Sequence, residues 1–138
     1  MTDFVLDCSM TMAWCFEDEA TPRTKAVLAS LQAQAAVVPS HWPLEVANAL
    51  TNSERRGRIV ASEIGPFLEI LGDLPISIDD QTAENALGET LTLARTWRLS
   101  AYDAAYLELA LREGCPLASL DAPLNEAAAG LGIAIFQG

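Results

Sequence analysis

Positive charge is scarce in this 138-residue chain: eight Lys and Arg stand against 19 Asp and Glu, for a formal net charge of −11. That balance excludes a protein that grips duplex DNA by charge alone; nucleic-acid work here must be local, or must borrow charge from a metal. The single histidine, His41, excludes mechanisms built on a histidine pair, and its place just before a helix predicts a surface or capping residue. The three cysteines, Cys8, Cys15 and Cys115, are odd in number and match no zinc or disulfide spacing, so free thiols in a reducing compartment are expected. No apolar run approaches the roughly 18 residues of a membrane span. The first residues lack the basic stretch of a signal peptide, so a cytoplasmic location and no membrane partner are expected.

What the chain has is enough apolar material for a core. Residues of the hydrophobic class make up 51% and charged ones 20%, the balance of a globular protein. A chain of this size buries about 70% of its unfolded surface, and one domain spanning 1–138 is the expectation. Short, non-alternating aliphatic runs at 4–6, 36–39, 75–79, 117–120 and 133–136 read as strands. Helical stretches at 10–16, 22–34, 41–56, 62–72, 82–97, 100–114 and 121–130 separate them. This alternation predicts an α/β fold with a mainly parallel sheet of four to five strands, covered on both faces.

In such sheets ligands bind beyond the carboxyl ends of the strands. Asp7 stands there after the first strand and Asp121 after the fourth, while Glu45 and Asp103 begin helices that follow loops. Each has an ordinary explanation. Asp7 and Asp121 can cap the helices that follow them. Ser100-x-x-Asp103 fits an acidic capping box, and Glu45 suits the positive end of its helix dipole. Together, with so few basic residues to pair them, four acids repel unless a cation joins them, and oxygen-only ligation suits Mg²⁺ or Mn²⁺ rather than zinc. At about 100° per residue, Trp42, Val46, Ala49 and Leu50 make one apolar stripe, with Glu45 on its border and Asn48 and Asn52 beyond. Asn48 reads either as a group that bonds a carboxylate or phosphate, or as a surface amide.

The order Asp7-Cys8-Ser9, then Pro39-x-x-Trp42-Pro43-Leu44-Glu45-Val46-Ala47-Asn48, then Leu99-Ser100-Ala101-Tyr102-Asp103-Ala104-Ala105-Tyr106, then Leu117-Ala118-Ser119-Leu120-Asp121 resembles the PIN domain over nearly the whole chain. Within that family it is most similar to the VapC-type toxins of bacterial toxin–antitoxin pairs. The resemblance implies a three-layer α/β/α fold and a Mg²⁺- or Mn²⁺-dependent endoribonuclease that leaves a 5′-phosphate and a 3′-hydroxyl. It places Asp7, Glu45, Asp103 and Asp121 as the metal-holding catalytic acids, with Ser9 and Ser119 supporting them. It also implies a VapB-type antitoxin, a homodimer and an RNA substrate. The chain departs from the pattern at Ser119, where threonine is frequent, and at Ala122-Pro123, where many relatives carry a basic residue.

The remaining basic residues are few enough to weigh singly. Arg55, Arg56 and Arg58 end the Glu45 helix, where they serve either its dipole or RNA. Arg95 and Arg98 flank Trp97 and read as an RNA clamp if Trp97 is not core; Arg23, Lys25 and Arg112 are scattered. Met10, Met12, Trp14 and Phe16 crowd the first helix, and read as an antitoxin-binding surface, a dimer contact or core. Two enzyme classes with acidic pockets are disfavoured: a receiver domain needs a lysine near its last strands and only Lys25 is present, and a haloacid-dehalogenase-type phosphatase needs a second Asp where Ser9 stands. A PIN-like binding or scaffold protein with little nuclease activity remains the alternative.

Overall fold

Phe4, Val5 and Leu6 are all fully buried, although successive strand residues point to opposite faces of a sheet. Both faces of this strand, β1 (Phe4–Leu6), are therefore covered. The computed structural model, which describes residues 2–138, sets β1 at the centre of one parallel sheet with β2 (Ala36–Val38), β3 (Ile76–Ile78) and β4 (Leu117–Ala118), in the order β3-β2-β1-β4. Phe4 pairs with Ala36 on one side and Val5 with Leu117 on the other. Parallel pairing demands crossovers. These are made by α1 (Cys8–Ala13), α2 (Pro22–Ser30), α3 (Trp42–Arg55), α4 (Ala61–Asp73), α5 (Thr82–Asn85), α6 (Leu91–Trp97) and α7 (Ala101–Glu113), with α8 (Ala122–Gly130) after the last strand. The fold is thus the expected α/β arrangement of a four-stranded parallel sheet flanked by helices.

Four local differences from the sequence reading have physical causes. The first helix starts two residues earlier than expected, because the Asp7 carboxylate caps it by accepting the Met10 amide at 3.0 Å. The 82–97 stretch is interrupted by a π turn at Ala86–Thr90, around Gly88, a weak helix former. The strand expected at 117–120 ends at Ala118 because the next groups bond elsewhere: the Ser119 hydroxyl donates to Asp7 and the Leu120 amide to Ser9 Oγ. With β4 only two residues long, the strand expected at 133–136 shrinks to one parallel bridge, Leu117 to Ile135. Phe136 still stacks on Phe4 with ring centroids 4.1 Å apart.

The apolar side chains of the first helix belong to the core. Met10 is fully enclosed and Met12 and Phe16 are buried, while Trp14 is half-buried and donates to the Thr24 carbonyl at 3.0 Å. Met10, Met12 and Phe16 are thus turned inward, while Trp14 and Cys15 line an open groove beside α4. Trp97 is also packed inward: a Cβ on Gly130 would lie 2.3 Å from its ring. Two arginines are consumed in ion pairs. Arg58 bridges Asp18 and Glu19 at 2.9 and 2.8 Å over the Phe16 ring. Arg112 is not scattered but ties buried Asp79 and Glu108 at 2.8 and 2.7 Å. Among the described residues no helix is long and apolar enough to cross a membrane.

Candidate active site

Asp7 leaves β1 at its carboxyl end and is nearly inaccessible, at 4% exposure. Three groups donate to its two oxygens. Ser9 Oγ donates at 2.7 and 2.9 Å, Ser119 Oγ at 2.5 Å, and the Met10 amide at 3.0 Å. The serines are themselves held: Ser9 Oγ accepts the Leu120 amide and Ser119 Oγ the Asp121 amide, at 2.9 and 3.0 Å. Each hydroxyl thus accepts from the backbone after β4 and donates to Asp7, so its proton direction is fixed. Burial nevertheless dominates, and with a smaller push from Asp121 it lifts the Asp7 carboxyl to about 6 against the pull of these bonds.

The other acids also stand at helix starts. Asp121 caps α8 through Oδ1, which accepts the Leu124 amide at 2.9 Å. Among the described residues nothing donates to its second oxygen. Asp103 lies in the first turn of α7, whose cap is Ser100; the Ser100 hydroxyl accepts the Asp103 amide at 3.1 Å. Burial raises the Asp103 carboxyl, and Asp121 and then Glu45 raise it further. Asp121 thus lies within electrostatic reach of both Asp7 and Asp103, and Glu45 of Asp103. Cys8 sits among them: burial, then Glu45 and Asp7, push its thiol up to about 12, so it is no nucleophile.

Glu45 is fastened by two residues to which the sequence reading gives no role at the site. The Tyr106 hydroxyl donates to Glu45 Oε1, and His41 Nε2 lies 3.3 Å from the same oxygen. Among the described residues Oε2 has no protein donor. Tyr106 is buried at 1% exposure, and its phenol is held far above its usual range by burial first and Glu45 second, so it remains a donor. His41 is neither a simple surface residue nor a side-chain cap. It contacts the Tyr102 carbonyl at 3.0 Å, and its ring meets Tyr106 edge-on at 5.4 Å and Tyr102 at 5.7 Å. Spacing holds a signal for both: His41 is one helical turn before Glu45, and Tyr106 one turn after Asp103. Thr11 ties the frame together, accepting from Trp42 Nε1 at 3.1 Å and donating to the Asp7 carbonyl at 2.8 Å.

Among the described residues the other sequence candidates make no hydrogen bond or ion pair with the four acids. Asn48 is exposed and its side chain has no hydrogen bond among the described residues. Arg55 and Arg56 are exposed at the far end of α3, about 15 Å along the axis from Glu45 at 1.5 Å per residue. Arg95 and Arg98 are exposed at the end of α6, with Arg98 in the left-handed region at φ 55°. An open apolar groove of about 440 Å³ lies between α3, α4 and β3, and none of the four acids lines it.

The donor set is carboxylate oxygen, with free oxygens on Glu45 and Asp121, which fits a hard divalent cation and not a thiolate-bound metal. Among the described residues no three Asp, Glu, His or Cys side chains close into a ready-made metal cage.

A parallel α/β/α domain with an acidic site at the carboxyl edge of its central strands is the class defined so far. Residues 4–130 match the profile of the PIN domain, and the chain belongs to that family. A solved structure described as the crystal structure of PAE2754 from Pyrobaculum aerophilum is similar in fold, with a TM-score of 0.70 at 21% identity, over 97% of this chain and 83% of that one. No curated protein matches the sequence.

Proposed function

We propose that this chain is a Mg²⁺- or Mn²⁺-dependent endoribonuclease, the toxin of a VapBC-type pair. PIN domains are typically nucleases. What supports the reading is that Asp121 lies within electrostatic reach of both Asp7 and Asp103, and Glu45 of Asp103, while among the described residues Glu45 and Asp121 each keep an oxygen that no protein group engages. A cation held there lowers the pKa of a coordinated water and offsets charge gathering on the phosphoryl oxygens. Asp7, Asp103 and Asp121 would hold it, and Glu45 would present Oε2 to it. Ser9 and Ser119 keep the Asp7 oxygens in place, which fixes the geometry before substrate arrives. Cleavage leaving a 5′-phosphate needs no histidine pair.

The test is incubation of the purified chain with RNA in Mn²⁺ or in EDTA, with 5′ ends sequenced. Metal-dependent cleavage lost in Asp7→Asn, Asp103→Asn and Asp121→Asn supports the reading; full activity in all three refutes it. Induction in cells should arrest growth, and the product of the neighbouring gene, as a VapB-type antitoxin, should relieve the arrest and co-purify. The lack of a ready-made metal cage favours a second reading, a PIN-fold binding protein, which cleavage in Mn²⁺ would eliminate.

A further inference from the structure

A nuclease must hold its substrate, and this chain has few cations with which to do so. Arg58 and Arg112 are bound to carboxylates, Arg55 and Arg56 lie at the far end of α3 from Glu45, and Arg95 and Arg98 are exposed at the end of α6. What stands beside the acids is aromatic. Tyr106, His41 and Tyr102 form a ladder of rings with centroids 5.4 and 5.7 Å apart. Its inner ring is buried and bonded to Glu45. Its middle ring is anchored by Glu45 and by the Tyr102 carbonyl. Its outer ring, Tyr102, is 64% exposed and immediately precedes Asp103. An aromatic face left in water costs free energy until something covers it, and the ladder holds this one in place next to the carboxylates.

We propose that Tyr102 is a stacking platform for an unpaired nucleobase adjacent to the bond being cut. The proposal rests on the nuclease reading above. Every base has a π face, so stacking binds RNA without needing the positive charge that this chain lacks. A paired base is already stacked in its helix and cannot use the platform, which separates single strands from duplexes.

The test compares the whole chain with Tyr102→Ala and Tyr102→Trp on a fluorescein-labelled single-stranded RNA ten-mer and its duplex. The exposed position leaves the fold undisturbed, which the Mn²⁺ melting response of each variant checks. Tyr102→Ala should raise KM by about tenfold with kcat changed less than twofold, and Tyr102→Trp should restore KM. The wild type should prefer the single strand, with the preference lost in Tyr102→Ala. An unchanged KM in Tyr102→Ala, or a loss confined to binding the neighbouring gene's product, overturns the platform while leaving the nuclease reading intact. If the wild type cuts neither RNA in Mn²⁺, the nuclease reading itself fails, and the platform with it.

Discussion

Replacing Asp7 by asparagine should make the metal-free protein more stable, and by an amount that depends on pH in a defined direction. The carboxyl is held at about 6, against 3.8 for an ordinary one. At about 1.4 kcal/mol for each tenfold, ionising it in the folded state costs about 3 kcal/mol. The folded value lies above the unfolded one, so the cost is absent below pH 4, where both states hold the proton. It grows as pH rises, because the unfolded chain releases its proton first, and is complete above pH 6. The asparagine side chain carries no charge and still accepts the Met10 amide, so the helix cap survives. Its amide nitrogen faces Ser119 or Ser9, and turning one hydroxyl around removes about 1 kcal/mol. Urea unfolding in EDTA from pH 4 to 8 should therefore show curves that nearly coincide at pH 4 and differ by about 2 kcal/mol at pH 7, the variant being the more stable. Contributions from Asp103 and the other acids are common to both proteins and cancel. A difference that does not change with pH, or a wild type that gains on the variant as pH rises, would refute this account of Asp7.

Saturating Mn²⁺ should reverse that order: at 100 times the dissociation constant it adds about 3 kcal/mol to the wild type and much less to Asp7→Asn or Asp121→Asn, as melting scans with and without metal will show. Tyr106→Phe should keep the fold but weaken the Mn²⁺ midpoint by about tenfold, and combining it with Glu45→Gln should weaken it no further than Glu45→Gln alone. Arg112→Met should lower stability in urea by about 3 kcal/mol or more, because Asp79 and Glu108, at 7% and 4% exposure, lose their partner inside the protein. Arg112 holds the Asp79 carboxyl below its usual range; the matching stability is present at neutral pH and lost on acidification, so wild type and variant should converge as pH falls.

Much of the arrangement is legible in one dimension. The central strand, its neighbour at 36–38 and the positions of the four acids follow from short aliphatic runs each ended by a carboxylate or a helix start. Asp7 and Asp121 read in the sequence as caps or as site residues, and both do cap their helices. At Asp121 the cap takes one oxygen and leaves the other. The less legible parts depend on contacts far apart in sequence. His41 is engaged by Tyr102, 61 residues on, which local spacing does not reveal. Met10, Met12 and Phe16 exceed one inward stripe, but α1 is clasped between the sheet and α3, so more than one stripe is buried. The partner of Arg112 is hidden in the sequence because Asp79 follows a strand in another part of the chain. Strand ends differ from the aliphatic runs where a hydroxyl, rather than a neighbouring strand, takes the backbone hydrogen bond.

Asp7, Ser100 and Asp121 each open a helix, and Glu45 and Asp103 lie in the first turns of theirs. The separations among the acids are thus set by where helices begin on the sheet, and the lengths of the surface connections do not enter. The turn at 31–35 and the loop at 56–60 touch none of the bonds that fasten the acids. They are the places where a tag, a fluorophore-bearing segment or a whole inserted domain can be spliced in without retuning the site, since loop closure grows costlier only slowly with length. Lengthening the 119–121 connection by even one residue is a different operation. It would withdraw the two amides that Ser9 and Ser119 accept, and a scaffold engineer should treat those three residues as part of the sheet.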